Sequence, residues 1–197
     1  MLRFVHGTPS TAGAEAALFV DRDGVLNRRI VDGYVLSPAE LDLLDGAVPS
    51  LRRASELKVP IVIVSNQGCI SRRLLSEPDL VAIHRKLLDH LRAQGVGVLA
   101  IYACPHHPDA PDPVDRTCGC RKPRPGLVVA AAEDLRLDVT RSVFIGDQDT
   151  DRQAAVDAGI PDDRFWLVEA ARMTADDGAR LADEVEAAFG GHRGGRQ

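Results

Sequence analysis

The sequence lacks the features that would carry the chain into or across a membrane. None of its apolar runs, in 197 residues, approaches the length needed to cross a bilayer. The first twenty residues contain no basic segment followed by an apolar stretch, which is the pattern of a signal peptide. We therefore expect a cytoplasmic protein that does not bind a membrane.

The sequence also has no excess of basic over acidic residues. Lys and Arg together number 24 and Asp and Glu number 29, so the formal net charge is -5. A nucleic-acid-binding surface usually needs a basic face, and this balance argues against nucleic acid as a partner. A local cationic pocket is still allowed. We expect a monomer that acts on a small molecule.

The residues that are present predict one globular domain over residues 1–197. Hydrophobic residues make up 45% and charged residues 27%, and the length suits a single substantial core. Apolar runs alternate with helical patterns, which predicts an α/β fold with a doubly wound, Rossmann-like parallel sheet. The later strands are predicted at 60–64, 96–102, 142–145 and 165–168, and the helices at 48–57, after Ser76, after Gly126, at 151–158 and after Thr174. Residues 1–13 are expected to form an irregular leader and residues 190–197 a flexible tail.

The first predicted strand, Leu18-Phe19-Val20, runs directly into Asp21-Arg22-Asp23-Gly24. Both carboxylates then lie at the carboxyl end of a strand, which is the edge where open α/β sheets bind ligands. An ordinary turn rich in Asp and Gly is the alternative explanation of this motif by itself.

Three further stretches contain polar groups that could join this site, and two of them lie just after apolar runs. They are Ser65-Asn66-Gln67, Arg121-Lys122-Pro123, and Gly146-Asp147 with Asp149 and Asp151. Each has an ordinary alternative: a helix cap, a solvated lysine, or acids attracted to a helix start. The four stretches in this order favour one shared site.

This ordered set resembles the haloacid dehalogenase superfamily of phosphotransferases, over residues 16–160. The resemblance implies that Asp21 is a nucleophile that forms an aspartyl-phosphate, and that Asp23 is first the general acid and then the general base. Mg²⁺ suits an oxygen-only site, and the resemblance implies that Asp21, Asp147 and the backbone carbonyl of Asp23 hold it. A general acid at neutral pH needs a raised pKa, which we therefore expect for Asp23.

The remaining motif residues also acquire roles from this resemblance. Ser65 and Asn66 would bind the phosphoryl oxygens, and Lys122 would neutralise the same group and orient Asp21. Asp151 would hold Lys122 in place without contacting the substrate itself.

The segment from Cys104 to Cys120 is rich in Pro, Asp and Cys and has no helical or strand period. It contains Cys104-Pro-His106-His107 and Cys118-Gly-Cys120. Three thiolates and one imidazole match a closed, tetrahedral Zn²⁺ site, which would be structural. The alternative is three buried cysteines without a metal.

The segment from Cys104 to Cys120 resembles one particular family within this superfamily. Its pattern C-x-H…C-x-C-R-K-P is similar to the family of D-glycero-D-manno-heptose 1,7-bisphosphate 7-phosphatases, which implies a capless enzyme that removes the 7-phosphate, with His106 as the fourth zinc ligand. The residues expected to bind substrate are Arg22, Gly33, Tyr34, Asn66, Gln67 and Arg121. Gly68-Cys69, Gln148 and the loop 28–32 depart from the family pattern, so the exact sugar stays open, and Cys69 is expected to be a spectator.

Three alternatives to this function stay open at the level of the sequence. The first is a histidinol-phosphate phosphatase, from a closely related family. The second is a DNA 3′-phosphatase, which the acidic balance disfavours. The third is an inactive, zinc-stabilised binding module, although no catalytic group is missing.

Overall fold

A computed structural model of the protein describes residues 1–7, 15–169 and 174–190. Its strands are β1 (Leu2–Val5), β2 (Leu18–Val20), β3 (Ile61–Asn66), β4 (Ala100–Cys104), β5 (Val143–Gly146) and β6 (Phe165–Leu167). Its helices are α1 (Val48–Glu56), α2 (Glu77–Ala93), α3 (Gly126–Leu135), α4 (Asp149–Asp157) and α5 (Ala175–Phe189). The strands form one six-stranded sheet in the order β1-β4-β3-β2-β5-β6.

Strands β2 to β6 run parallel, as predicted. Leu18 of β2 lies opposite Ile61 of β3 on one side and Val143 of β5 on the other. All residues of β2 and β5 and most of β3 are buried, because helices cover both faces of the sheet. The carboxyl ends of these strands therefore meet at one edge of the sheet.

Side chains of alternate strand residues lie in two different hydrophobic clusters. Leu18, Val20 and Ile63 pack in a cluster with residues of α1, α2 and α5. Phe19, Val62, Val64 and Phe144 pack in a second cluster with residues of α3 and α4. This division follows from the two-residue period of a strand, and it gives the predicted doubly wound architecture.

Strand β1 corrects the prediction of an irregular leader over residues 1–13. Residues 2–5 pair antiparallel with β4 at the edge of the sheet, with Leu2 opposite Ala103. Their side chains alternate between half-buried and exposed. Four residues are too few to give a clear period, and an edge strand contributes only one half-buried face. Residues 8–13, and residues 191–197 of the tail expected at 190–197, lie outside the described residues.

The predicted start of α2 is confirmed, since the Ser76 hydroxyl accepts a hydrogen bond of 3.3 Å from the backbone N–H of Asp79. Strand β4 begins at Ala100, later than the predicted 96–102, because residues 96–98 lead into the sheet from a turn at Gly95 with a positive φ of 79°. Strand β3 extends to Asn66, so Ser65 and Asn66 lie within it. No helix in the described parts of the chain is long and apolar enough to cross a membrane.

Candidate active site

Asp21 directly follows β2 and lies at the edge where the parallel strands end. Its backbone N–H donates to the carbonyl of Ile145, 2.9 Å away, which ties it to the neighbouring strand β5. Gly24, three residues later, has a φ of 99°, and a Cβ there would lie 2.0 Å from Oδ2 of Asp147. Glycine is required at this position for both reasons, and it lets the turn after β2 approach the Asp147 carboxylate.

Lys122 reaches Asp21 from the segment that leads into α3. Its ammonium donates to Oδ1 of Asp21 at 2.6 Å and to the carbonyl of Val64 at 3.1 Å, and it pairs with Oδ1 of Asp151 at 2.6 Å. All three ionic side chains are at least nine-tenths buried. The structure thus brings together the predicted nucleophile, its predicted cation and the predicted anchor of that cation.

The electrostatics of this group follow from burial. Burial by itself lowers the pKa of Lys122, but the carboxylates of Asp21 and Asp151 outweigh it and raise that pKa, so the amine stays protonated. Burial raises the pKa of Asp21; Lys122 opposes this change, whereas Asp151 and Asp23 add to it. The single positive charge of Lys122 therefore does not neutralise the negative charges of Asp21, Asp151 and Asp23.

Asp147 supplies the next carboxylate, at the end of β5. Single carboxylate oxygens of Asp21, Asp147 and Asp151 lie within 4.8 Å of one another. Oδ1 of Asp147 is buried without a hydrogen-bond partner, whereas its Oδ2 lies 3.3 Å from the guanidinium of Arg29. Burial raises the pKa of Asp147, an effect that Arg29 opposes. An unpartnered buried carboxylate oxygen beside two further carboxylates fits an oxygen-seeking divalent cation such as Mg²⁺.

Both carboxylate oxygens of Asp151 have protein partners, so neither is left free for a metal cation. Its Oδ2 accepts from the backbone N–H groups of Asp147 and Gln148, at 3.2 and 3.1 Å, and so caps α4. Its other oxygen holds Lys122. The structure thus places Asp151 against Lys122, and its role as an anchor in catalysis stays a prediction.

Asp23 lies in a dense hydrogen-bond network. Arg22 donates to both of its oxygens, at 2.8 and 2.9 Å, and Asn27 and Gln67 donate at 2.9 and 2.8 Å. The Ser65 hydroxyl is also 3.3 Å from Oδ2. Although burial raises the pKa of Asp23, the charge and hydrogen bonds of Arg22, then those of Asn27 and Gln67, bring it below its ordinary value. The expectation of a raised pKa is therefore corrected for this arrangement.

Two residues that were expected to bind substrate belong to this hydrogen-bond network instead. Arg22 is 1% exposed and its guanidinium faces Asp23. Gln67 is fully buried, and its amide donates to both Asp23 and the Ser65 hydroxyl. Both side chains hold Asp23 in place and are not open to a ligand. A four-residue spacing after Asp23 was the only sequence signal for Asn27, whose role in this network was missed.

Asn66 also has a different partner from the one expected. Its amide group donates to the backbone carbonyl of Lys122 at 3.0 Å and accepts from the backbone N–H of the same residue at 3.0 Å. This pair of hydrogen bonds fixes the backbone that carries the lysine. Asn66 also lines the cleft, so its side chain lies beside the position expected for a phosphoryl group.

A cleft of about 650 Å³ opens over these residues. Gly33 and Tyr34 line it, as expected of substrate-binding residues, and so do Ser65, Lys122 and Arg121. Arg29, Arg72 and His107 also line the cleft and were not predicted. Isolated arginine and histidine residues in loops carry no periodic signal, so only the tertiary structure places them at the cleft.

The four residues predicted to bind zinc come together. The Cys104 sulfur lies 3.6 Å from Nδ1 of His106, 3.6 Å from the Cys118 sulfur and 3.2 Å from the Cys120 sulfur. The Cys120 sulfur lies 3.4 Å from the same nitrogen and 3.5 Å from Cys118. A tetrahedral zinc ion with ordinary bond lengths would separate its ligands by about 3.6 to 3.8 Å. The observed separations are at or somewhat below these values, so the cluster fits zinc.

The zinc-type cluster also supports the catalytic segment. The backbone N–H of Arg121 donates to the Cys118 sulfur at 3.3 Å, directly before Lys122. Nε2 of His106 points towards the carboxylate of Asp115, 3.9 Å away, which is longer than a direct hydrogen bond. All four cysteines are free of disulfides, and Cys69 is buried away from this cluster.

An aspartate paired with lysine at the end of a central strand, beside a second aspartate with an unpartnered carboxylate oxygen, is the arrangement expected of a phosphohydrolase of the haloacid dehalogenase-like class. A family model described as HAD-hydrolase-like matches residues 119–185. A D-glycero-beta-D-manno-heptose-1,7-bisphosphate 7-phosphatase of Rhodopseudomonas palustris is 37% identical over 79% of this chain and 86% of its own length. The corresponding protein of Yersinia pestis is 34% identical over 86% of this chain and 88% of its own length. The chain belongs to this phosphatase family.

Solved structures agree with this assignment. A protein from Mesorhizobium loti that is described by similarity as a HAD-like phosphatase superposes with a TM-score of 0.86 at 30% identity, covering 98% of this chain and 95% of the other. The D,D-heptose 1,7-bisphosphate phosphatase of B. bronchiseptica, in complex with magnesium and phosphate, superposes with a TM-score of 0.74 at 30% identity. That match covers 87% of this chain and 99% of the other. The predicted fold class, with no cap domain inserted among the described elements, is confirmed.

Proposed function

We propose that this protein removes the 7-phosphate from a D-glycero-D-manno-heptose 1,7-bisphosphate, with Asp21 as nucleophile. One observation carries the proposal: the Asp21 carboxylate is held 2.6 Å from the Lys122 ammonium at the carboxyl end of β2. The names of the relatives supply the substrate, since those that share most of the chain's length are heptose bisphosphate phosphatases. The magnesium and phosphate bound to the B. bronchiseptica enzyme support the cofactor.

The first half-reaction begins at Asp21. Its Oδ1 accepts from Lys122, and within the described residues its Oδ2 has no hydrogen bond, so Oδ2 is the atom that attacks the phosphorus. The bond from phosphorus to the sugar oxygen breaks, and Asp23 gives its proton to that oxygen. An aspartyl-phosphate and a free sugar hydroxyl result. Lys122 stays charged throughout and balances the charge that develops on the phosphoryl oxygens.

Asp23 must be protonated for this step, although its partners favour the carboxylate. A phosphoryl dianion that enters the cleft is a like charge beside Asp23, and it raises the pKa of that carboxyl. In the second half-reaction Asp23 takes a proton from water as the water attacks phosphorus. The bond to Asp21 Oδ2 breaks, phosphate leaves, and both carboxyl groups return to their starting states.

A bound Mg²⁺ would supply charge neutralisation for the attacking carboxylate and the phosphoryl oxygens. Asp21, the free oxygen of Asp147 and the backbone carbonyl of Asp23 are the groups that would hold it. Zinc at Cys104, His106, Cys118 and Cys120 would be structural, because four protein ligands leave no open position. A monomeric state and a cytoplasmic location stay predictions.

The test is a panel of substrates assayed with the purified protein for phosphate release, in Mg²⁺ and in EDTA. The panel contains both anomers of the heptose 1,7-bisphosphate, histidinol phosphate and a 3′-phosphorylated oligonucleotide. We expect Mg²⁺-dependent release from the heptose with a kcat/KM at least about a hundredfold above the others, a difference of about 3 kcal/mol. Preference for histidinol phosphate or the oligonucleotide would refute the substrate. No release from any of them would favour a binding module.

A further inference from the structure

Arg29 is a cation that lies beside Asp147 in the loop after β2. Its Nη1 is 3.3 Å from Oδ2 of Asp147, and its side chain is 43% exposed, whereas that of Asp147 is 11% exposed. The side chain of Arg29 lines the cleft. Within the described residues, this ion pair is the single charged or hydrogen-bonded contact of the guanidinium. Arg29 therefore has further N–H donors that no described protein group uses.

The backbone that carries Arg29 is fixed directly before it. The N–H of Arg28 donates to the carbonyl of Asp42 at 2.7 Å, and the Arg28 guanidinium pairs with the Asp42 carboxylate, also at 2.7 Å. These contacts hold the start of the loop 28–32, which is the stretch that departs from the family pattern. Arg29 can then change its partner by rotation of its side chain, without any movement of the loop start.

The two other cations near the nucleophile are already fully used. Lys122 is buried, and its ammonium holds two carboxylates and a backbone carbonyl. Arg22 is buried as well and donates to both oxygens of Asp23. If either cation turned away, a buried carboxylate would be left without its partner, which is strongly unfavourable. Of these three cations, Arg29 is therefore the one that can exchange its partner at low cost.

A divalent cation at Asp147 changes the surroundings of Arg29. Oδ1 of Asp147 is buried and has no hydrogen-bond partner in the part of the chain that the structure describes, and it is the oxygen expected to hold Mg²⁺. A metal cation on Oδ1 and a guanidinium on Oδ2 would share one carboxylate, so their positive charges would repel each other. An ion pair that is nearly half exposed contributes little by itself, so this repulsion is sufficient to release Arg29.

The position of a phosphoryl group lies close to this ion pair. One carboxylate oxygen of Asp147 is within 4.8 Å of one of Asp21, whose free oxygen attacks phosphorus in the proposed reaction. A guanidinium that starts at Asp147 therefore reaches a phosphoryl oxygen by a short rotation of its side chain. Its planar pair of N–H donors also matches the geometry of two phosphoryl oxygens.

We propose that Arg29 links the binding of the metal cation to the binding of the phosphoryl group. Before the cation binds, Arg29 neutralises Asp147; once the cation is bound, Arg29 leaves Asp147 and donates to the phosphoryl oxygens of a phosphate monoester. The cation and the phosphate then bind cooperatively, because both favour the same position of Arg29. The inference rests on the Mg²⁺ site of the proposed function and not on the identity of the sugar.

The first experiment measures the affinity for Mg²⁺ by calorimetry, without phosphate, in protein that keeps its zinc. We expect Arg29→Gln to bind Mg²⁺ about 3- to 10-fold more tightly than the wild type, since no guanidinium then competes at Asp147. Arg29→Lys keeps the charge and should stay near the wild type. Arg28→Gln is the matched control, because its guanidinium contacts Asp42 instead. Equal or weaker binding by Arg29→Gln would show that Arg29 only supports Asp147 and would overturn the inference.

The second experiment repeats these titrations in saturating inorganic phosphate. The ratio of the two Mg²⁺ dissociation constants, without and with phosphate, measures the coupling between the ligands. We expect this ratio to fall at least about fivefold in Arg29→Gln and to stay unchanged in Arg28→Gln. The coupling that is left in Arg29→Gln reports direct contact between cation and phosphate. A ratio in Arg29→Gln equal to that of the wild type would refute the link.

Both titrations contain no sugar, so they separate this inference from the proposed function. If the heptose bisphosphate is not turned over but Arg29→Gln shows both changes, the proposed substrate is wrong and the role of Arg29 stands. If the heptose bisphosphate is turned over but Arg29→Gln shows neither change, the proposed function stands and the role of Arg29 is wrong.

Discussion

Replacing Lys122 by Met tests two roles of its positive charge, one in the stability of the fold and one in catalysis. The ammonium lies 2.6 Å from one carboxylate oxygen of Asp21 and 2.6 Å from one of Asp151. Side-chain exposures are 3% for the lysine, 9% for Asp21 and 2% for Asp151. Methionine has a similar shape and no charge, so Lys122→Met leaves two buried carboxylates without their cation.

The size of the effect follows from this burial. Removing one partner of a buried ionic pair costs about 3–5 kcal/mol of unfolding free energy. Losing one positioned charge at a reacting group lowers kcat by about 10²–10³-fold. In Lys122→Met with Asp151→Asn, one of the two uncompensated carboxylates is gone. We expect the double variant to recover part of the stability and none of the turnover.

The loss of stability should also depend on pH. Without Lys122, burial and the neighbouring carboxylates hold the pKa of Asp21 in the folded state above its unfolded value of about 4. The native state then binds more protons than the unfolded state, so stability falls as pH rises above about 4. The deficit of Lys122→Met relative to the wild type should therefore be larger at pH 7.5 than at pH 4.5.

The assay is urea unfolding followed by circular dichroism, in EDTA, at both pH values, with phosphate release measured separately in Mg²⁺. Lys58→Met, which removes a charge from an exposed lysine, is the matched control. The reasoning is refuted if Lys122→Met is as stable as this control at pH 7.5. It is also refuted if the double variant recovers no stability.

Three further predictions concern the nucleophile, the acid and the zinc loop. Asp21→Asn should keep its fold and lose its turnover, since an amide cannot form the acyl phosphate; substantial phosphate release from a carefully purified variant would contradict the covalent mechanism. Asp23→Asn should impair the heptose phosphate more than p-nitrophenyl phosphate, whose leaving group needs little protonation; equal losses in kcat would remove the leaving-group role. Cys118→Ser should lower zinc content by elemental analysis, increase proteolysis within 104–120 and reduce turnover in saturating Mg²⁺; an intact loop with full activity in zinc-free protein would show that the cysteines only pack.

Local patterns were sufficient to predict most of the fold. The β-branched runs predicted β3 and β5, and a cap such as Ser76 predicted the start of α2, because these signals depend on residues adjacent in sequence. Strand β1 was missed, since its pairing with β4 joins residues about one hundred positions apart. An edge strand of four residues gains its order from that partner rather than from its own sequence.

The sequence by itself determined the chemistry of the candidate site. Asp21 and Asp147 each follow an apolar run, and parallel strands bring such ends to one edge whatever the details of packing. Likewise, close spacing alone brings Cys118 near Cys120. The residue types, their spacing and the strand ends therefore predicted a carboxylate-rich site and the zinc-type cluster, whereas the role of nucleophile for Asp21 came from the resemblance to the haloacid dehalogenase superfamily.

Only the tertiary structure decided which partner each polar side chain takes. It turned Arg22 and Gln67 towards Asp23, placed Asn66 on the backbone of Lys122, and brought His107 and Arg121 against Gly68. These pairs combine residues from different loops, and their hydrogen bonds depend on distances of a few tenths of an ångström and on burial. No periodicity encodes such distances, because they result from the packing of the whole sheet and its helices.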